Sequence, residues 1–430
     1  MADHEPHDSG AAPPLHLFQG FGIEIEYMIV ARATLDVLPV CDEVLRAVAG
    51  EYVSDVAGDD IAWSNELVLH VIEIKTAGPA PGLAGLAAKF HRDLLTINGL
   101  LAAHGGRLMP SAMHPWMDPL RETRLWPHDY SPVYEAFNRV FDCRGHGWAN
   151  LQSVHVNLPF AGDDEFGRLH AAIRLILPIL PAIAASSPMA DGRLTGHLDT
   201  RLDTYRGNAR KVPSVSGRVI PEPVFTRAAY HAQILARIYA DISPLDPEGI
   251  LQHEWLNARG AIARFDRDAI EIRLLDTQEC ATADLAVAAA VVAAVRALVD
   301  ERWCPFDTQR GFAVDPLDVI LHATTHHAEA AIIDDRVYLA AFGMNSRRCT
   351  AGELWSHLVA SCLPATARGN AEWQATLAHI ARQGTLARRI ARRVGPAPTR
   401  GGLVEVYGEL CDCLDNDTLF EGGNDGGSHP

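Results

Sequence analysis

Two short segments of this chain carry charged residues at alternate positions inside apolar runs. In GIEIEYMIV, residues 22–30, Glu24 and Glu26 are two apart; in AIEIRLLD, residues 269–276, so are Glu271 and Arg273. Alternate residues of a strand share a face, so the members of each pair point the same way. A third run, NELVLHVIEIKT over 65–76, adds Glu66 and Glu73. Their odd separation puts them on one face only if a bulge or bend intervenes. Carboxylates gathered by apolar strands are costly unless metal ions, arginines or a charged ligand neutralise them. Hard oxygen donors in that number suit Mg²⁺ or Mn²⁺. The plain alternative, that one side of a sheet is simply wet, explains one such pair more easily than three segments.

If metals sit there, a phosphorylated ligand is their usual companion. Arg273 shares the side of Glu271 and could neutralise a transferring phosphoryl group, or else form an internal salt bridge. In NLQSVHVNLPF, residues 150–160, Gln152, Val154, Val156 and Leu158 fall on one side and Ser153, His155 and Asn157 on the other. A lone strand histidine such as His155 is more often structural than a ligand, and the same holds for His114 in the MHPW loop. Arg193, Arg201 and Arg206 crowd the polar stretch after residue 184, and guanidinium forks suit phosphate or carboxylate. No GxxxxGK[ST], strand-linked GxGxxG, HExxH or GxSxG is present, and GHGWAN at 145–150 lacks the rest of a phosphate loop.

The elements that must position these groups are readable in outline. Strands are expected at 21–30, 67–75, 150–160 and 269–275, and helices at 42–49 and 83–104, the latter stopped by Gly105-Gly106. Residues 109–132 are rich in proline and read as loop. A helix from 163 to about 186 contains prolines that imply a kink or break. An Ala-rich helix with Asp284 in its first turn runs to about 301, and 302–414 reads as helical. Residues 1–15 read as a disordered start, 16–420 as one catalytic domain, and 421–430 as a flexible tail.

Bulk properties narrow the class. At 430 residues, 48% hydrophobic and 21% charged, the chain can bury a large core. Its formal charge of −17 makes duplex DNA an unsuitable partner, since that binding needs a basic surface. A local basic cluster, RRIARR at 388–393, is the exception. The longest apolar stretch, 285–299, is interrupted by Arg296 and falls short of a membrane span. With no leader-like start, the reading is a cytoplasmic protein with reduced thiols at its eight cysteines. The partners expected are small molecules, with no membrane, and a homo-oligomer is open.

The order GIEIEY, NELVLHVIEIKT, the His-Pro loop, SVHVNLPF, ASSPMADGRLTGHLDTR and AIEIRLLDTQ resembles the second glutamate–cysteine ligase family, the carboxylate–amine ligases. The likeness spans roughly 18–299 and is weaker over 335–347. It implies an α+β fold like the catalytic domain of glutamine synthetase: a curved, largely antiparallel sheet with helices packed on its convex side and ATP and metals on its concave side. It implies ATP- and Mg²⁺- or Mn²⁺-dependent amide formation from amino acid and amine substrates through an acyl phosphate. Carried over by position, Glu24, Glu26, Glu66, Glu73, His155 and Glu271 look like metal ligands. Arg273 and Arg201 look like phosphate contacts, with Arg206 beside them, and Glu271, Arg273 and Arg201 form the catalytic set. His114 and Asn157 look like substrate contacts. The chain departs from the family at Asn157, where a second histidine is common, and at Ala112-Met113-His114-Pro115, where Gly-Thr-His-Pro is common. A ligase acting on a peptide, carrier-bound or tRNA-linked amino acid, and a non-catalytic nucleotide- or metal-binding protein, are the competing readings.

Overall fold

The computed structural model describes residues 13–363 and 371–423. Most of the expected disordered start and flexible tail lies outside the described residues.

Eight strands form the main sheet, and every pairing within it is antiparallel. In chain order these are β1 (Gly22–Ala31), β2 (Asp55–Val56), β3 (Ile61–Asn65), β4 (Val71–Thr76), β5 (Gly106–Met109) and β6 (Ser153–Pro159). A small hairpin follows, β7 (Met189–Ala190) with β8 (Arg193–Leu194), before β9 (Ala261–Arg264) and β10 (Ala269–Asp276) complete the sheet. Its order is β2-β3-β4-β1-β6-β10-β9, with β5 on the second half of β1. A second small pair, β11 (Ile332–Ile333) with β12 (Cys349–Thr350), interrupts the otherwise helical last third.

Alternation divides the sheet into two unlike faces. Ile23, Ile25 and Tyr27 of β1, Ile72 and Ile74 of β4, Val154 and Val156 of β6 and Ile270 and Ile272 of β10 form one fully apolar face. Residues of the helices Leu86–Leu101, Gly162–Ile176 and Ala281–Val299 belong to the same buried cluster. The Tyr27 hydroxyl donates to Asp284 Oδ2 at 3.0 Å and ties that face to the last of these helices. The Ala281–Val299 helix is long and apolar enough to cross a membrane, but 83% of that stretch is buried inside the protein. Its hydrophobic surface is spent on the core, which removes the sheet face from water and forces the charged residues to the other side.

Several expected elements are corrected. Residues 65–76 are not one strand: β3 ends at Asn65 and β4 starts at Val71, so Glu66 sits at the hairpin turn and Glu73 inside a strand. The hairpin removes the parity problem, because the two glutamates no longer belong to one alternating run. The 109–132 stretch contains a short helix, Pro119–Glu122, capped by the Asp118 side chain. The proline-bearing helix breaks as expected, into Gly162–Ile176, a 3₁₀ turn at Leu177–Ile179 and Pro181–Ala184. The RRIARR cluster is not a basic patch. Arg389 is fully buried against Glu279, Arg388 pairs with Glu329, and Arg393 pairs with Glu405 and Glu409.

Candidate active site

The polar face of the sheet is assembled by register. Glu24 of β1 is flanked by Lys75 of β4 and His155 of β6, and Glu26 lies opposite Glu73, itself opposite Ser64 of β3. In the next row Gly22, Asn157 and Glu271 stand side by side across β1, β6 and β10. Glycine is required at 22 because a Cβ there would meet the Asn157 Cβ at 2.9 Å. All of these residues except Ser64 line a cavity of about 740 Å³, within the usual range of about 300–1,000 Å³ for small-molecule sites.

Hydrogen bonds hold the carboxylates in place. Asn157 Nδ2 donates to Glu24 Oε1 at 3.0 Å, and His155 Nδ1 lies 3.1 Å from Glu24 Oε2 and 3.6 Å from Glu271 Oε1. The backbone N–H and hydroxyl of Ser153 donate to Glu26 Oε2 at 2.8 and 3.1 Å. Lys75 Nζ bridges Ser64, Glu73 and Asp55 at 2.7, 3.1 and 3.0 Å. Arg273 Nε approaches Glu271 Oε1 to 2.7 Å.

Burial and charge set the protonation of this cluster. Burial pushes the Glu24 carboxyl up, but the hydrogen bond from His155 and the charges of His155, Lys75 and Arg273 outweigh it and hold the group down at about 2. Burial lowers His155, yet its bond to Glu24 and the charges of Glu271 and Glu26 leave it raised. Glu73 is lifted to about 7, first by burial and then by Glu24. Glu66 rises well above the normal range through burial and the charges of Glu26 and Glu73. Excess negative charge with perturbed protonation in a cleft makes this a candidate functional site. Among the described residues, carboxylates outnumber Lys and Arg side chains on the cavity wall, seven to four.

Among the described residues, two groups of donors lie close enough to share an ion: Glu24, Glu73 and His155, and Glu26, Glu66 and Glu73, each with ligand atoms within 4.8 Å. The donor chemistry fits, because hard carboxylate oxygens with at most one imidazole suit Mg²⁺ or Mn²⁺. A pH-dependent outcome follows. Glu73 has a raised folded pKa, so its favourable contribution is full below the unfolded value and is lost as pH rises through about 7. A divalent cation reverses this by binding the ionised form. Mg²⁺ or Mn²⁺ added to EDTA-treated protein is expected to raise the melting temperature more at pH 8 than at pH 5.5. At about a hundredfold excess over Kd the gain is about 2.7 kcal/mol. Scanning calorimetry at the two pH values checks it.

Not every expected residue reaches the cavity. Arg201 is 2% exposed and its Nε donates to Asp276 Oδ1 at 2.5 Å. The pairing of β10 with β6 shifts register between Ile272 and Leu275. This bulge moves Asp276 onto the polar side, where it takes Arg201 as partner. Arg206 bonds Asp318 at 2.8 Å and joins the helix Thr200–Asn208 to the helix Val314–His327. His114 is enclosed, with Nε2 2.8 Å from the Leu35 carbonyl, and burial pushes it down to about 3. Arg201, Arg206 and His114 are therefore placed within the scaffold, off the cavity wall.

Other residues on the wall escaped sequence reasoning. Lys75 was legible, since it alternates with Glu73. Arg264 and Arg267 come with β9, a four-residue strand paired to β10 through a turn at 265–268. The alternating ARF and AIEIR runs around Asp266-Arg267-Asp268 were the available hairpin signal.

A profile of the glutamate–cysteine ligase family 2 matches residues 20–409. The chain belongs to that family. Its class is carboxylate–amine ligase. An uncharacterised protein of Archaeoglobus fulgidus is 34% identical over 264 residues, covering 61% of this chain and 71% of its own. A Rubrobacter xylanophilus protein provisionally named glutamate–cysteine ligase 2-3 is 27% identical, over 46% of this chain and 48% of its own. The match thus spans about half the length of relatives that carry that name. A solved glutamate–cysteine ligase from Francisella tularensis, in complex with AMP, superposes with a TM-score of 0.60 at 10% identity, covering 96% of this chain and 91% of its own. That likeness establishes the glutamine-synthetase-like fold, as the α+β reading expected.

Proposed function

We propose that the protein is an ATP- and Mg²⁺-dependent ligase that activates a carboxylate, most simply the γ-carboxylate of glutamate, as an acyl phosphate and joins it to a small amine. The observation that carries the reading is the convergence of Glu24, Glu26, Glu66, Glu73, His155, Glu271 and Arg273 on one 740 Å³ cavity. The fold-neighbour solved with AMP supports a nucleotide at such a site. A cytoplasmic setting goes with it, since all eight cysteines are unpaired.

The chemistry is a charge problem. The substrate carboxylate oxygen attacks the γ-phosphorus of ATP and ADP departs; the amine then attacks the acyl carbon and inorganic phosphate leaves. Both steps gather anionic oxygens beside a carboxylate-rich wall. Divalent cations held by the two donor groups would offset that charge. Arg273, kept charged beside Glu271 and Glu24, presents its guanidinium to the transferring group. Asn157 and Ser153 fix Glu24 and Glu26 in their rotamers, so the ligands need not reorganise during the reaction.

Purified protein with ATP, Mg²⁺, glutamate and a panel of small amines is expected to release phosphate only when both glutamate and an amine are present. Phosphate release no greater than with ATP alone, for every carboxylate and amine tried, overturns the reading.

A further inference from the structure

A second cavity, of about 790 Å³, lies away from the carboxylate cluster, between the helices Ser131–Phe141, His146–Ala149 and Thr200–Asn208. Its wall includes Arg139, Arg210 and Lys211. All three are exposed, and among the described residues none has a carboxylate partner. In a chain of formal charge −17 most arginines have found acids, as Arg206, Arg259 and Arg389 have. Three cations left free around one concavity raise the local potential and concentrate anions there.

The acids on the same wall offset only part of this charge. Asp142 is engaged by Arg144 at 2.9 Å, which leaves Asp203 alone against the three cations. His146 is turned to Asp191 at 3.0 Å. Phe141 and Trp148 supply an aromatic part of the wall. Trp148 stacks on Phe141 with centroids 5.4 Å apart and planes 29° from parallel. The GHGWAN segment forms this wall without serving the first cavity. Gly147 is required there, because a Cβ would run into the Asn208 side chain, which donates to the Gly147 carbonyl. That close approach locks the segment onto the Thr200–Asn208 helix and fixes the cavity's shape.

We propose that this second cavity binds a small polyanion, a multiply charged carboxylate or phosphate, through Arg139, Arg210 and Lys211. The guanidinium forks grip the charged oxygens in pairs, and Lys211 adds a point charge. The site is distinct from the carboxylate-lined cavity and does not depend on the ligase reading.

The test is isothermal titration calorimetry on the full chain with inorganic pyrophosphate and, separately, with tricarballylate, at low and at physiological ionic strength. One equivalent of at least one probe is expected to bind at both salt concentrations, and the preferred probe tells phosphate from carboxylate. The double variant Arg210→Ala/Lys211→Ala, whose side chains are exposed, is expected to weaken that binding at least tenfold, while Arg273→Ala leaves it unchanged. The proposal is overturned if neither probe binds, if binding vanishes at physiological salt, or if Arg273→Ala abolishes it while the double variant does not.

Discussion

Arg273→Ala is expected to lower turnover of the amine-dependent reaction by about 10²–10³-fold, the usual effect of removing one preorganised group that stabilises charge in the transition state. The side chain is anchored by Glu271 at 2.7 Å and lines the cavity beside Glu24 and His155. Burial works against its charge, but Glu271, Tyr205, Glu24 and Glu26 hold it firmly protonated. The charge is therefore available without reorganisation when phosphate oxygens arrive. Arg273→Lys keeps the charge and loses the planar fork, so it should recover only part of the rate. Steady-state kinetics check this: the loss should appear in kcat as well as in kcat/KM, because the group acts on the transferring phosphoryl. A change confined to KM for ATP would reduce Arg273 to a binding residue.

The second large effect is on stability. Arg201→Met is expected to cost about 3–5 kcal/mol, because it leaves a buried carboxylate without its cation. Asp276 is 1% exposed and would keep neutral donors alone: the Ser186 N–H and the Ser187 hydroxyl at 2.8 Å and the Ser186 hydroxyl at 3.5 Å. The pair joins the Thr200–Asn208 helix to β10 just past its bulge, so weakening it also loosens the strand that carries Glu271 and Arg273. Urea unfolding of wild type and variant measures the difference. If Arg201→Met unfolds like wild type but loses ATP affinity, Arg201 contacts phosphate instead, as its place in the motif first implied.

What was legible in advance follows from how each feature is encoded. Strands β1, β6 and β10 announced themselves because apolar and polar residues alternate over 23–26, 153–158 and 270–273, and that alternation placed Glu24, Glu26, His155, Asn157, Glu271 and Arg273 on shared faces. Glu66 and Glu73 were rightly seen to conflict with a single strand. The intervening hairpin was hidden because Leu67–Leu69 is apolar and Leu67–His70 carries no Gly, Pro, Asn or Asp to mark a turn. Strands β3, β5 and β9 are four or five residues long, too short for a period to register. Arg201 and Arg206 were misplaced for a different reason. An arginine-rich stretch reads as anion-binding, yet its partners, Asp276 and Asp318, are 75 and 112 residues away. Ion pairs of that span are decided by packing, and nothing local distinguishes a buried pair from a waiting phosphate contact. The same holds for Arg389 and Glu279, 110 residues apart.

Crystals grown with Mn²⁺ and a non-hydrolysable ATP analogue test, through the anomalous signal of the metal, whether the polar face of the sheet holds divalent cations beside a phosphate-binding arginine. Peaks are expected within ligand distance, about 2.0–2.4 Å, of carboxylates in the Glu24/Glu73/His155 and Glu26/Glu66/Glu73 groups, with the phosphates reaching Arg273. Nucleotide density with no anomalous peak at either group, or with the metal bound elsewhere, would contradict it.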